Sequence, residues 1–160
     1  NMEMLPMLRE QKVMTMAGSR YVLTEFSHNS EESYIRERLS ALLSGGYKPI
    51  MAHIERYEAT RNSLDFVEEL ADMGVYMQIN ADSIIGKDGF FTKRYCNKIM
   101  KDGLLHFVGS DCHNSAKRSS RIGEAYRMVS AKFGQDYADE LFIHNPAEIL
   151  KQKQKHEATD

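Results

Sequence analysis

The stretch Leu64-Asp-Phe-Val-Glu-Glu-Leu-Ala-Asp-Met-Gly74-Val-Tyr-Met-Gln-Ile-Asn80 contains the unit from which the rest of the chain can be read. Leu64–Met73 carries apolar side chains at helical spacing and stops at Gly74, a residue that takes a left-handed C-terminal cap without steric cost. Val75–Asn80 follows at once as a short, mostly apolar run of the kind that forms a buried strand. Working outward, Tyr21–Glu25, Pro49–His53 and His106–Ser110 read as strands of the same type, flanked by Gly, Pro, Ser or Asn. Glu31–Leu43, Phe90–Lys101 and Ile122–Phe133 read as helices, the first ending at Gly45-Gly46 and the others before Gly103 and Gly134. Asn145-Pro146 supplies an N-cap and a first-turn proline for a short last helix, Ala147–Lys151. The fold class is therefore α/β, with strand and helix alternating. Such alternation implies parallel strands joined by crossovers, in an open doubly wound sheet or in part of a (β/α) barrel. In both, chemistry gathers at the C-terminal strand ends.

Composition sets the outer limits. The 160 residues are 42% hydrophobic and 28% charged, as in an ordinary globular domain. A chain of this size removes roughly 70% of its unfolded surface from water, so a metal would serve chemistry rather than folding. Net charge is −2 with no concentrated basic stretch, which argues against nucleic acid as a partner. No apolar run approaches the ~20 residues of a membrane span, and Asn1–Arg9 lacks a cationic signal region. The cysteines, Cys96 and Cys112, show no framework spacing and point to reduced thiols in a cytoplasm. The opening falls inside a helical pattern (Met4, Leu5, Leu8), so the expectation is a sequence that starts partway through a longer protein. Residues 1–151 then form one portion of a single domain, and Gln152–Asp160 a polar tail.

Acids and histidines fall where an α/β protein keeps its chemistry. Glu25 ends the first strand, His53 the second, and Asp111 and His113 directly follow the fourth. Asp-x-His on an extended segment puts both side chains on one side, because side chains alternate with period two. A carboxylate and imidazole set suits Mn, Fe or Zn and can activate a bound water near neutral pH. The plainer alternative for each residue is a solvated or capping side chain; four at three strand ends bring the metal reading level with it. Arg56 and Arg118 follow in the same loops and offer planar donor forks that match phosphate oxygens. Alone, each is an ordinary surface arginine; beside a metal mouth they point to metal-assisted hydrolysis of a phosphate ester. A rival sits on the same residues, because Cys112 and Arg118 have the Cys-x5-Arg spacing of cysteine phosphatase loops. That loop has no glycine, and Asp111 beside the thiol opposes a lowered pKa, so the rival is the weaker reading. Tyr57, His28, His106 and His144 are assigned to packing or capping.

Four blocks, Leu23-Thr-Glu-Phe26, Met51-Ala-His-Ile-Glu-Arg-Tyr57, Ser110-Asp-Cys-His-Asn114 and Leu141-Phe-Ile-His-Asn-Pro146, resemble the PHP-type (polymerase and histidinol phosphatase) bacterial tyrosine-protein phosphatases of capsular and exopolysaccharide operons. The resemblance spans about residues 5–150. It implies the C-terminal part of a distorted (β/α)7 barrel and divalent ions, manganese first and iron or zinc as alternatives. It also implies a water nucleophile and, as partner, the phosphotyrosine-bearing tyrosine kinase that controls polysaccharide export; a homo-oligomer is compatible with it. By this resemblance Glu25, His53, Asp111 and His113 are metal ligands, and Arg56 and Arg118 bind phosphate. The family's opening His-x-His strand and further upstream ligands have no counterpart here, so the isolated chain is expected to have negligible activity. Two alternatives stay open: a PHP phosphatase of a small metabolite such as histidinol phosphate, and a non-catalytic binding module.

Overall fold

A computed structural model describes residues 15–110 and 119–157. Four strands, β1 (Tyr21–Thr24), β2 (Lys48–Met51), β3 (Tyr76–Asn80) and β4 (Phe107–Gly109), form one sheet in the order β1-β2-β3-β4, every pair parallel. Between them run α1 (Glu32–Ser44), α2 (Glu58–Asn62), α3 (Leu64–Asp72), α4 (Ala81–Ile85) and α5 (Phe90–Lys101). After β4 come α6 (Ser119–Phe133), α7 (Gln135–Asp139), a π-helical turn (Glu140–His144) and α8 (Asn145–Glu157).

Strand periodicity sorts the sheet into two unlike faces. Met51, Met77 and Ile79 face the main core, where they meet Ile35 and Leu39 of α1, Phe66, Val67 and Leu70 of α3, Ile99 of α5 and Val129 of α6. Tyr21, Ile50 and Phe107 face the other way and are covered in part by Ile149 of α8 and by Met16. The crossover helices thus share one face, as in a wall of a barrel; a doubly wound sheet would carry them on both. Leu23, on the second face, remains 47% exposed. Among the described residues β1 and β4 are the sheet's edges.

Several boundaries differ from the sequence expectation, each for a physical reason. The second strand stops at Met51, because His53 adopts a left-handed backbone (φ 37°, ψ 54°) and turns the chain into a 3-10 turn, Ile54–Arg56. The cap of α1 forms one residue later than its first glycine: Gly45 is right-handed, and Gly46 takes φ +83°. Asn145 is not an N-cap. It is itself helical (φ −61°, ψ −45°), and its side chain donates to the carbonyl of His106 at 2.9 Å. The π turn before it widens the helix where Pro146 has no N–H to donate, so α8 continues from the preceding helix. His144 accordingly lies inside that turn, not in a loop before a helix start.

Candidate functional site

The site is built from two neighbouring strand ends. Glu25 comes directly after β1 and exposes most of its side chain, whereas the His53 side chain is only 13% exposed. Their nearest atoms, Oε1 of Glu25 and Nε2 of His53, lie 3.4 Å apart. Both line a cavity of about 270 Å³ whose walls include Leu23, Ile50, Gln78 and Asn80.

Three contacts fix His53. Its backbone N–H donates to Oε1 of Gln78 at 2.7 Å, and its carbonyl accepts the N–H of Arg56 at 2.9 Å. Its ring rests against Tyr57, with centroids 5.4 Å apart and planes at 42°. Tyr57 is buried, and its hydroxyl accepts the N–H of Phe26 at 3.2 Å, which also fixes the chain just after Glu25. Burial pushes the Tyr57 hydroxyl up to about 12, so it stays neutral. The expected packing role of Tyr57 matches this. The Nδ1 of His53 is buried and has no hydrogen-bond partner among the described residues.

The turn after His53 is anchored from below by Glu55, which is 2% exposed. Its Oε1 takes the N–H of Asn80 at 3.0 Å and lies 2.8 Å from the Ser83 hydroxyl, which is in turn 2.6 Å from Asp88. Ser83 has one hydroxyl proton for two carboxyl groups. Burial pushes the Glu55 pKa up, against the Asn80 N–H and the Ser83 hydroxyl, which favour its charged form. Gln78 is similarly committed: its amide nitrogen donates to Oδ1 of Asn80 at 3.0 Å and to the carbonyl of Ile79 at 2.9 Å.

Of the residues singled out in the sequence, Glu25 and His53 come together. Arg56 ends the 3-10 turn, exposed, and does not line the cavity. Asp111, His113 and Arg118, with Cys112 of the rival reading, lie outside the described residues. Sequence reading passed over Gln78, Asn80, Glu55 and Gly109. A polar residue in mid-strand, as Gln78 is, was the visible signal, since a buried amide requires partners.

The donors suit a borderline or hard divalent ion: one carboxylate oxygen and one imidazole nitrogen. At 3.4 Å they are too far apart for a good hydrogen bond, yet close to the spacing of neighbouring donors on one ion with bonds of about 2.0–2.2 Å. Among the described residues no set of three such side chains gathers.

Residues 1–151 match the family described as capsular polysaccharide synthesis, CpsB/CapC. The chain is 37% identical over 155 residues to the tyrosine-protein phosphatase CpsB of Streptococcus agalactiae, covering 93% of this chain and 63% of that protein. It is 27% identical over 147 residues to the tyrosine-protein phosphatase YwqE of Bacillus subtilis, covering 92% of this chain and 57% of that protein. In structure it aligns, with a TM-score of 0.86 and 26% identity, to a chain from the crystal structures of YwqE from Bacillus subtilis and CpsB from Streptococcus pneumoniae, described as metal-dependent tyrosine phosphatases. That alignment covers 94% of this chain and 61% of the other. The chain thus spans less than two thirds of the length of these relatives.

Proposed function

Because the chain belongs to the CpsB/CapC family of capsular polysaccharide synthesis proteins, we propose that it contributes the strand-end machinery of a metal-dependent protein-tyrosine phosphatase. The observation that carries this reading is the approach of Glu25 and His53 to 3.4 Å at the ends of adjacent parallel strands. With Asp111 and His113, which follow β4 in the sequence, they hold divalent ions, manganese in the first place. When bound, such ions supply a Lewis acid and lower the pKa of a bound water to near neutrality.

The chain's own residues supply the rest. Glu25 brings a carboxylate to the open side of the cavity, and the Tyr57 ring keeps the His53 imidazole facing it. Arg56 and Arg118 bind the phosphate oxygens of the substrate through their planar forks. The substrate is the phosphotyrosine of a bacterial tyrosine kinase, and its dephosphorylation regulates capsular or exopolysaccharide synthesis in the cytoplasm. No helix among the described residues is long and apolar enough to cross a membrane.

The test, made on the chain extended to the full length of the relatives it matches, is phosphate release from a phosphotyrosyl peptide and from histidinol phosphate, in Mn²⁺ and after chelation. The expected result is chelator-sensitive release that favours the peptide and falls in Glu25→Gln and His53→Ala. Release that survives chelation, or wild-type rates in both variants, would overturn the proposal.

A further inference from the structure

We infer that Gln78 is the positioning residue for His53, and that Gly109 exists in its present form to give the Gln78 amide room. This rests on the reading of His53 as a ligand. The first observation is backbone strain: His53 is a non-glycine residue at φ 37°, a left-handed conformation that persists only where surroundings impose it. The second is the hydrogen bond that imposes it, from the His53 N–H to Gln78 Oε1 at 2.7 Å. A backbone N–H can only donate, so the amide must turn its oxygen to His53 and its nitrogen to Asn80 and Ile79, where both N–H bonds are used. The amide has no freedom left to rotate.

The third observation comes from the next strand. A Cβ on Gly109 would sit 2.4 Å from Nε2 of Gln78 and 3.1 Å from its Cδ. Gly109 is not in the left-handed region, so its backbone does not demand glycine; the approach of the amide does. Gln78 therefore links the turn after β2, which carries His53, to the end of β4, two residues before Asp111 in the sequence. It touches no substrate and acts through the backbone of His53.

The experiment uses Gln78→Met, which keeps length and removes the acceptor, and Gly109→Ala, which displaces the amide without altering Gln78 or His53. Imidazole signals of the metal-free protein are read by NMR, and Mn²⁺ affinity by electron paramagnetic resonance. His106, bonded to β3 at the opposite end of β4, is the internal control. Both variants are expected to shift the His53 signals in the same direction, leave those of His106 in place, and weaken Mn²⁺ binding by about 10- to 100-fold, the range for residues that orient ligands. Unchanged His53 signals in both variants, or equal shifts at His53 and His106, would overturn the inference. Wild-type Mn²⁺ affinity in His53→Ala counts against the metal reading alone, and the imidazole signals then still decide the role of Gln78.

Discussion

Glu25 and His53 are 28 residues apart in the sequence, yet Oε1 of one faces Nε2 of the other at 3.4 Å. The pairing of β1 with β2 does this, since Thr24 is opposite Met51 and both chains leave the sheet from the same edge. The Glu25 side chain is 61% exposed, so its charge can be removed at little structural cost. Glu25→Gln is expected to lower Mn²⁺ affinity at least about tenfold, with stability changed by less than about 0.5 kcal/mol. Titration with Mn²⁺ beside a urea melt separates the two effects, and unaltered affinity would remove Glu25 from the site.

His106 predicts a pH dependence of stability. Its Nδ1 accepts the N–H of Met77 at 3.1 Å and must be unprotonated to do so. Burial holds its pKa below the usual value, against the opposing charge of Glu140. Between the folded and unfolded pKa values the unfolded chain binds more protons, so stability rises with pH in that window. The contribution is full above about pH 6.5 and is lost as pH falls from there through the folded pKa. Urea midpoints should drop from pH 7.5 to 5.5, and His106→Asn, whose Oδ1 can take the same N–H, should flatten the slope.

Gly109→Ala should destabilise by about 1–3 kcal/mol, the usual cost of forcing an extra carbon into a packed site. The clash is with a single side chain, Gln78. Removing that side chain should remove the cost, so Gly109→Ala in a Gln78→Ala background is expected to be nearly neutral. Additive effects in a double-mutant cycle by chemical denaturation would show that something other than the amide excludes the methyl group.

Mechanism is tested at residues known from the sequence. With a water nucleophile, and in the chain extended to the full length of its relatives, Cys112→Ser should leave turnover largely intact, whereas Asp111→Asn or chelation abolishes it. Cys96 offers no substitute thiol: it is buried, and burial pushes its pKa up. Arg56→Ala should cost about 2–4 kcal/mol of transition-state stabilisation, or roughly 30- to 1000-fold in kcat/KM. The reverse pattern, with Cys112 essential and Asp111 dispensable, would restore the thiol mechanism.

Strand and helix alternation was legible because each apolar run must be buried and each helix must hide one stripe. Both demands leave periodic marks in the sequence, and all four runs contain strands. What was not legible was geometry set by single hydrogen bonds. The left-handed turn at His53 is imposed by Gln78, 25 residues away in sequence, and nothing local to Pro49–His53 announces it. Asn145-Pro146 carries the residue types of a helix start, but the π turn before it and the bond from Asn145 to His106 prevail over the local preference. Glu55 lies inside the Met51–Tyr57 block, but the burial of its carboxyl against Asn80 and Ser83 depends on a partner segment that block does not contain.

The strands lie in the sheet in the same order as in the chain, and this bears on how the protein is made. The register pairs Tyr21 with Lys48, Ile50 with Tyr76 and Gln78 with Phe107 close segments of 27, 26 and 29 residues. Closure entropy grows only with the logarithm of length, so these three steps differ by roughly 0.1 kcal/mol and none outcompetes the others. The direction of synthesis then sets the sequence of events. A ribosome adding about 5–20 residues per second delivers each strand's partner within a few seconds of the strand itself. A newly emerged strand therefore waits unpaired for only one βα repeat, and exposure to wrong partners is confined to that interval.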